Sequence, residues 1–183
     1  MQITYNSPVI LTYTLIATIV MVLSDFVLGQ VFTNTFFAVS PQSNILTLVT
    51  HAIGHANWSH LVGNFSFILL IGPLIEEKYG SKLLLIMMLI TAFITGVLNV
   101  TLFQTGLLGA SGIVFMLIIL SSLTNFQKGT IPLTFILVAI LFLGKEIYAG
   151  LTAEDNISQL AHIGGGICGG ILGFIAERNT KSS

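Results

Sequence analysis

Charged side chains are scarce in this sequence: Asp, Glu, Lys and Arg make up only 7% of its 183 residues. A soluble domain carries roughly 25%. Hydrophobic residues account for 54% of the chain, and the mean hydropathy is +0.97. The composition therefore excludes an ordinary soluble protein and indicates an integral membrane protein.

The scarcity of charge, cysteine and N-terminal basic residues further restricts the possible functions and locations of the protein. The net charge of -1 leaves no basic surface of the kind that binds nucleic acid, so nucleic-acid partners are excluded. The single cysteine, Cys168, cannot form an internal disulfide. No Lys or Arg precedes the first apolar run and no small-residue cleavage site follows it, so we expect a retained span rather than a signal peptide.

Six apolar runs are candidate spans when measured against the roughly 20 residues that cross a bilayer, although three of them are short. They lie near Val9–Leu28, Leu61–Ile75, Leu83–Phe103, Leu108–Leu123, Ile131–Leu143 and Leu160–Ile175. We therefore predict an all-α, polytopic membrane protein in which six transmembrane helices form one bundle and one domain over residues 1–183.

The basic residues predict the orientation of this bundle. With six spans, all of them but Lys145 fall on one side, namely Lys78, Lys82, Lys128, Arg178 and Lys181. The positive-inside tendency then places both termini in the cytoplasm. The longest connection, residues 29–59, becomes an outer loop, and its aromatic residues and low charge favour a position in the membrane interface.

Four polar residues converge near the outer face in this topology. His60 and Asn64 begin the second span, Ser111 begins the fourth, and His162 lies just inside the sixth. Polar groups in spans are costly and usually mark function. A stripe of small residues on the sixth span, Gly165, Gly169 and Gly173, permits close helix packing. If the start of the fourth span is its partner, His162 faces Ser111.

That proximity predicts nucleophilic catalysis. A serine hydroxyl becomes an effective nucleophile when a base such as neutral histidine removes its proton. The amide of Asn64, the imidazole of His60 and the backbone N–H of Ser111 are candidate donors to the resulting oxyanion. No acidic residue lies in the second, fourth or sixth span, so we expect a Ser111–His162 dyad rather than a triad.

At these residues the chain resembles a rhomboid intramembrane serine protease of the six-span bacterial or archaeal form. The matching motifs are His60-x-x-x-Asn64, Gly109-Ala110-Ser111-Gly112 and Ala161-His162-Ile163-Gly164-Gly165. The resemblance implies that Ser111 is the nucleophile and His162 the general base and acid. It also implies that His60 and Asn64, with the Ser111 amide, form the oxyanion hole.

The resemblance further implies a turn at Gly109 that shapes the oxyanion pocket, and cleavage of transmembrane substrates near the outer face with no metal and no cofactor. We expect a multi-pass protein of a prokaryotic cytoplasmic membrane. We also expect the substrate helix to enter past the second and fifth spans, with the 144–158 connection as a lid. The Glu76–Ser81 stretch resembles the family's cytoplasmic turn.

Two positions depart from the family pattern. Many members have a tyrosine four residues after the serine, packed on the catalytic histidine, where this chain has Phe115. We expect ring stacking to persist, with a modest effect. Many members also carry a Trp-Arg pair in the first loop, but the only arginine here is Arg178 and the only tryptophan is Trp58.

Other functions stay open. His51, His55 and His60 are a conceivable zinc site, but no His-Glu-x-x-His motif is present, and we favour His51 and His55 as hydrogen-bonding loop residues. A catalytically inactive rhomboid-like protein that binds membrane helices is the main alternative. A transporter would require paired charges or symmetric broken helices, which the sequence does not show.

Overall fold

The computed structural model describes residues 3–102, 106–123, 131, 133–134, 136–138, 140–141 and 157–180. Every regular element in this part of the chain is helical. The helices are α1 (Pro8–Leu23), α2 (Gln30–Phe36), α3 (Thr47–Thr50), α4 (Trp58–Tyr79), α5 (Ser81–Leu102), α6 (Ser111–Ser122) and α7 (Ile157–Thr180). A π-helical turn over Ser24–Leu28 extends α1. The predicted all-α class is therefore confirmed.

Among the residues described, three helical stretches are long and apolar enough to cross a membrane: Pro8–Leu28, α4 and α5. At 1.5 Å per residue, a 22-residue helix such as α4 is about 33 Å long, which exceeds the roughly 30 Å hydrocarbon layer. The α6 helix and the His162–Ala176 part of α7 are apolar but shorter. The predicted fifth span and the 144–158 connection lie largely outside the described residues, so the count of six stays a prediction.

Two of the differences between predicted and observed helix starts have a clear local cause. The second predicted span begins at Trp58 rather than Leu61, because the Asn57 side chain accepts the His60 N–H at 2.8 Å and caps the helix three residues earlier. The fourth begins at Ser111 rather than Leu108. Gly109 has φ +122°, which is incompatible with a helix, so Leu108 belongs to the preceding turn.

The α6 helix is the centre of the bundle. Every residue from Gly112 to Leu120 is buried, with α4, α5 and α7 packed around it. A helix that is apolar on all sides is typical of a protein core or a membrane span. The residue that begins α6, Ser111, is half-buried at the end of this enclosed helix.

The long first loop is anchored without the Trp-Arg pair. The Nε2–H of His51 donates to the Ala92 carbonyl at 3.0 Å, the Tyr13 hydroxyl donates to the Ala52 carbonyl, and Leu48 backbone atoms touch Gly96 so closely that a Cβ there would overlap them. Ala92 lies ten residues, or about 15 Å, from the Leu102 end of α5. Residues 47–53 therefore reach well below that end of the helix.

The turn between α4 and α5 holds the first helix in place. The buried Glu76 carboxylate accepts the Val9 and Ile10 N–H groups, both at 3.0 Å, and the Ser81 hydroxyl at 2.7 Å. The first N–H groups of a helix have no partner within it. Glu76 supplies that partner from another helix, and its negative charge also interacts favourably with the positive end of the α1 dipole.

Candidate functional site

The turn before α6 fits only glycine at position 109. Gly109 has φ +122°, in the region that side chains other than glycine rarely adopt, and its N–H donates to the His51 carbonyl at 2.9 Å. A Cβ atom at this position would overlap the His60 ring and lie 2.7 Å from its Nε2 atom. The turn that leads to Ser111 therefore lies directly against the His60 imidazole.

His60 and Asn64 occupy the first two turns of α4. Asn57 caps that helix, and His60 and Asn64, four residues apart, share one face. Asn64 is 7% exposed, and its Nδ2 atom has no hydrogen-bond partner among the described residues. A buried donor without a partner costs about 1–3 kcal/mol. The Asn64 amide is thus a buried donor that is free to bind an acceptor.

The Trp58 end of α4 is linked to the π-helical turn that follows α1. The Trp58 indole N–H donates to Asp25 Oδ2 at 2.9 Å, and the Trp58 ring lies 6.5 Å from that of Phe26. The sequence did not predict this link, because the two residues are 33 positions apart and belong to different helices. It joins the π-helical turn to the helix that carries His60 and Asn64.

The glycine stripe of α7 packs on α6, as predicted. The backbone of Gly165 lies against that of Gly112, that of Gly169 against Met116, and Gly173 against the side chain of Leu120. A Cβ at position 165 would overlap the Gly112 carbonyl oxygen and lie 2.8 Å from its Cα. This backbone contact brings the start of α7 to the start of α6.

His162 meets α6 through the ring of Phe115. The two rings are stacked, with centroids 4.3 Å apart and planes inclined by 4°. Phe115 lies four residues after Ser111, so both are on the same face of α6. The predicted persistence of ring stacking is confirmed, and the His162 imidazole lies over the face of α6 that begins with the Ser111 hydroxyl.

His51 and His55 are buried hydrogen-bonding residues of the first loop, as we favoured. His55 Nδ1–H donates to the Ile53 carbonyl at 3.1 Å, and its ring packs edge-on against His60 at 5.2 Å. Burial, together with the neighbouring His60, lowers the pKa of His55 to about 4, although the bond to Ile53 opposes this. Burial also lowers the pKa of His51. Within the described residues no three His, Cys, Asp or Glu side chains are grouped to hold a metal ion.

The structure thus brings the sequence-predicted residues to one end of the bundle. His60 contacts Gly109, Gly112 contacts α7, and His162 stacks on Phe115 beside the start of α6. The sequence did not predict the contact between the His55 and His60 rings, because only the folding of the loop brings them together. The Asn57 cap had a visible signal in the sequence, since asparagine is a common N-cap residue immediately before an apolar helical segment.

Comparison with known proteins gives concordant results. Residues 42–179 match the family model of the Rhomboid domain. The chain is 25% identical to Rhomboid protease GlpG of Haemophilus influenzae over 77% of this chain and 74% of that protein. It is 26% identical to Rhomboid-like protein 11, chloroplastic, of Arabidopsis thaliana over 74% of this chain, and spans about half of that relative, 54% of its length.

Proposed function

This chain belongs to the rhomboid family, and we propose that it is an intramembrane serine endopeptidase that cleaves transmembrane helices of other membrane proteins. In this proposal Ser111 and His162 form a catalytic dyad. The observation that carries it is the stacking of the His162 ring on Phe115, one helical turn from Ser111. The close contact of Gly165 with Gly112 supports the same placement from the backbone side.

The proposed reaction proceeds in two steps. His162 takes the proton of the Ser111 hydroxyl as its oxygen attacks the scissile carbonyl carbon. The tetrahedral intermediate collapses, the C–N bond breaks, and His162 passes its proton to the leaving amine. Water then attacks the acyl-enzyme ester with His162 again as the base, and releases Ser111 and the new carboxylate.

The negative charge on the carbonyl oxygen requires donors at the moment of reaction. The Asn64 amide is suited to this, because it is buried and has no acceptor among the described residues. His60 lies against the Gly109 turn next to the Ser111 backbone N–H, which supports both as further donors. The loss of one such donor costs roughly 3–4 kcal/mol in acyl-transfer enzymes.

The substrate is expected to be a helix that unwinds readily. A transmembrane helix has all its backbone groups hydrogen-bonded, so the scissile carbonyl becomes accessible only after local unwinding. We propose the six-span arrangement with cytoplasmic termini, an active site toward the outer face, and cleavage at small residues near helix-weakening ones. Replacing those substrate residues with leucine should slow cleavage.

The direct test is cleavage of a single-span reporter by the purified chain in liposomes. We expect cleavage by the wild type and by the control Ser122→Ala, whose hydroxyl, within the described part of the chain, donates to the Ile119 carbonyl of its own helix. Ser111→Ala and His162→Ala should be inactive, and a metal chelator should have no effect. Cleavage that survives both substitutions would refute the dyad. Binding of reporters without cleavage by the wild type would favour an inactive helix-binding protein.

A further inference from the structure

An apolar groove lies between α1 and α5, and Ile113 of α6 also lines it. Its volume is about 470 Å³. One wall is formed by α1, including Tyr13 and Ile16, and the other by α5, including Leu85 and Leu89. The first loop closes one end of the groove with Val49, Ala52 and Ile53.

The groove is open along one side in the described part of the chain. The side chains at its rim are Ile16, Leu85 and Leu89, which are 44%, 45% and 47% exposed. All three are apolar and belong to helices long and apolar enough to cross a membrane. The open side therefore faces lipid hydrocarbon rather than water.

The length of the groove matches one leaflet of the bilayer. It runs along α5 from Ser81, at the start of that helix, to Ala92, which packs under the loop. These eleven residues rise about 16 Å. Half of a hydrocarbon layer of about 30 Å is about 15 Å. The loop residues thus close the groove near the middle of the membrane.

Residues 49–53, which close the groove, offer few polar groups to which a water molecule could bind. The Ala52 carbonyl accepts the Tyr13 hydroxyl, and the His51 side chain donates to the Ala92 carbonyl. A buried water needs two to four polar partners. An apolar group is therefore better suited than water to fill the groove beside this segment.

A positively charged side chain, that of Lys82, lies near the other end of the groove. Lys82 is exposed and follows Ser81, which lines the groove mouth. Its apolar stem can lie along the helix while the ammonium reaches the membrane surface. Glu76, the nearest buried acid, is already bound by the α1 N–H groups and Ser81, while Glu77 is exposed at the same turn. Lys82 is therefore placed to meet a lipid phosphate.

We propose that this groove is a phospholipid site. One acyl chain from the leaflet on the Lys82 side fills it, the phosphate lies beside Lys82, and the end of the chain supports residues 49–53 of the first loop. The lipid is thus an integral part of the platform on which the His51 and Gly109 backbones meet. This inference is independent of catalysis by Ser111.

The test uses the full chain in liposomes that contain phosphatidylcholine with a photoreactive diazirine at the end of one acyl chain. After irradiation, the labelled positions are mapped by peptide mass spectrometry. We expect strong labelling of residues 49–53 together with the groove walls. Labelling of exposed lipid-facing residues such as Leu70, without labelling of residues 49–53, would overturn the proposal.

A groove-filling variant provides the second arm. Leu89→Trp places a larger ring in the groove, and Leu70→Trp is the matched control on α4, because Leu70 is 71% exposed and does not line the groove. We expect labelling of residues 49–53 to be lost in Leu89→Trp and retained in Leu70→Trp. Equal labelling in both would also refute the proposal. If Leu89→Trp does not fold, Leu85→Trp replaces it, and the wild-type map decides independently.

Discussion

The contact between Gly165 and Gly112 predicts a large effect from adding one methyl group. An alanine Cβ at position 165 would overlap the Gly112 carbonyl oxygen and lie 2.8 Å from the Gly112 Cα. Carbon atoms pack optimally at about 3.5–4.0 Å, so α7 must move away from α6 by about 1 Å. The atoms in the way are all backbone atoms of Gly112, which cannot rotate away as a side chain can.

The displacement would be transmitted to the candidate dyad. His162 lies one turn before Gly165 on α7, and its ring stacks on Phe115 of α6. A misplacement of about 1 Å can cost roughly 100-fold in rate. Overpacking should also cost about 1–3 kcal/mol of stability, which exceeds the gain of about 1 kcal/mol from replacing a helical glycine by alanine. We therefore expect Gly165→Ala to lower kcat/KM by about 100-fold and to lower the Tm.

Gly170→Ala is the matched control for this experiment. It is the same substitution in the same helix, but nothing lies within 4 Å of the added Cβ. It should keep full activity and raise stability by up to about 1 kcal/mol. The assays are reporter cleavage in liposomes and thermal unfolding in detergent. Equal activity and equal Tm in the two variants would show that the backbone contact does not position His162.

Three other predictions follow from single contacts. Glu76→Gln should lower the Tm, because charge-assisted hydrogen bonds to the α1 N–H groups contribute about 1.5–3 kcal/mol each, whereas exposed Glu77→Gln should not change it. Gly109→Ala should abolish reporter cleavage, because residue 109 has a positive φ and the added Cβ would overlap the His60 ring. The control Gly63→Ala should retain activity, because nothing lies within 4 Å of its added Cβ. Because the pKa of His55 falls from 6.5 to about 4 on folding, the unfolded chain binds more protons between these values. The stability that neutral His55 contributes should therefore be present above pH 6.5 and be lost as the pH falls toward 4. When the free energy of unfolding is measured over this pH range, it should decline less for His55→Gln than for the wild type.

The class of protein follows from the sequence alone. A chain with 7% charged residues and long apolar runs cannot fold as a soluble domain, because it lacks the polar surface that water requires. The candidate residues were also identifiable in advance, since histidine, asparagine and serine at the ends of apolar runs are costly unless they have a role. The packing surface of the last helix was also predictable, because the four-residue spacing of Gly165, Gly169 and Gly173 places all three on one helix face.

Tertiary structure decided which groups touch. The bond between Trp58 and Asp25, the capping of α1 by Glu76 and the packing of His55 on His60 all join residues through folding of separate segments. No local pattern encodes them, because helical periodicity specifies which face a residue occupies but not the element that covers that face. The descent of residues 47–53 along α5 is of the same kind. It depends on the absence of a side chain at Gly96, and only the packed structure shows which backbone occupies that space.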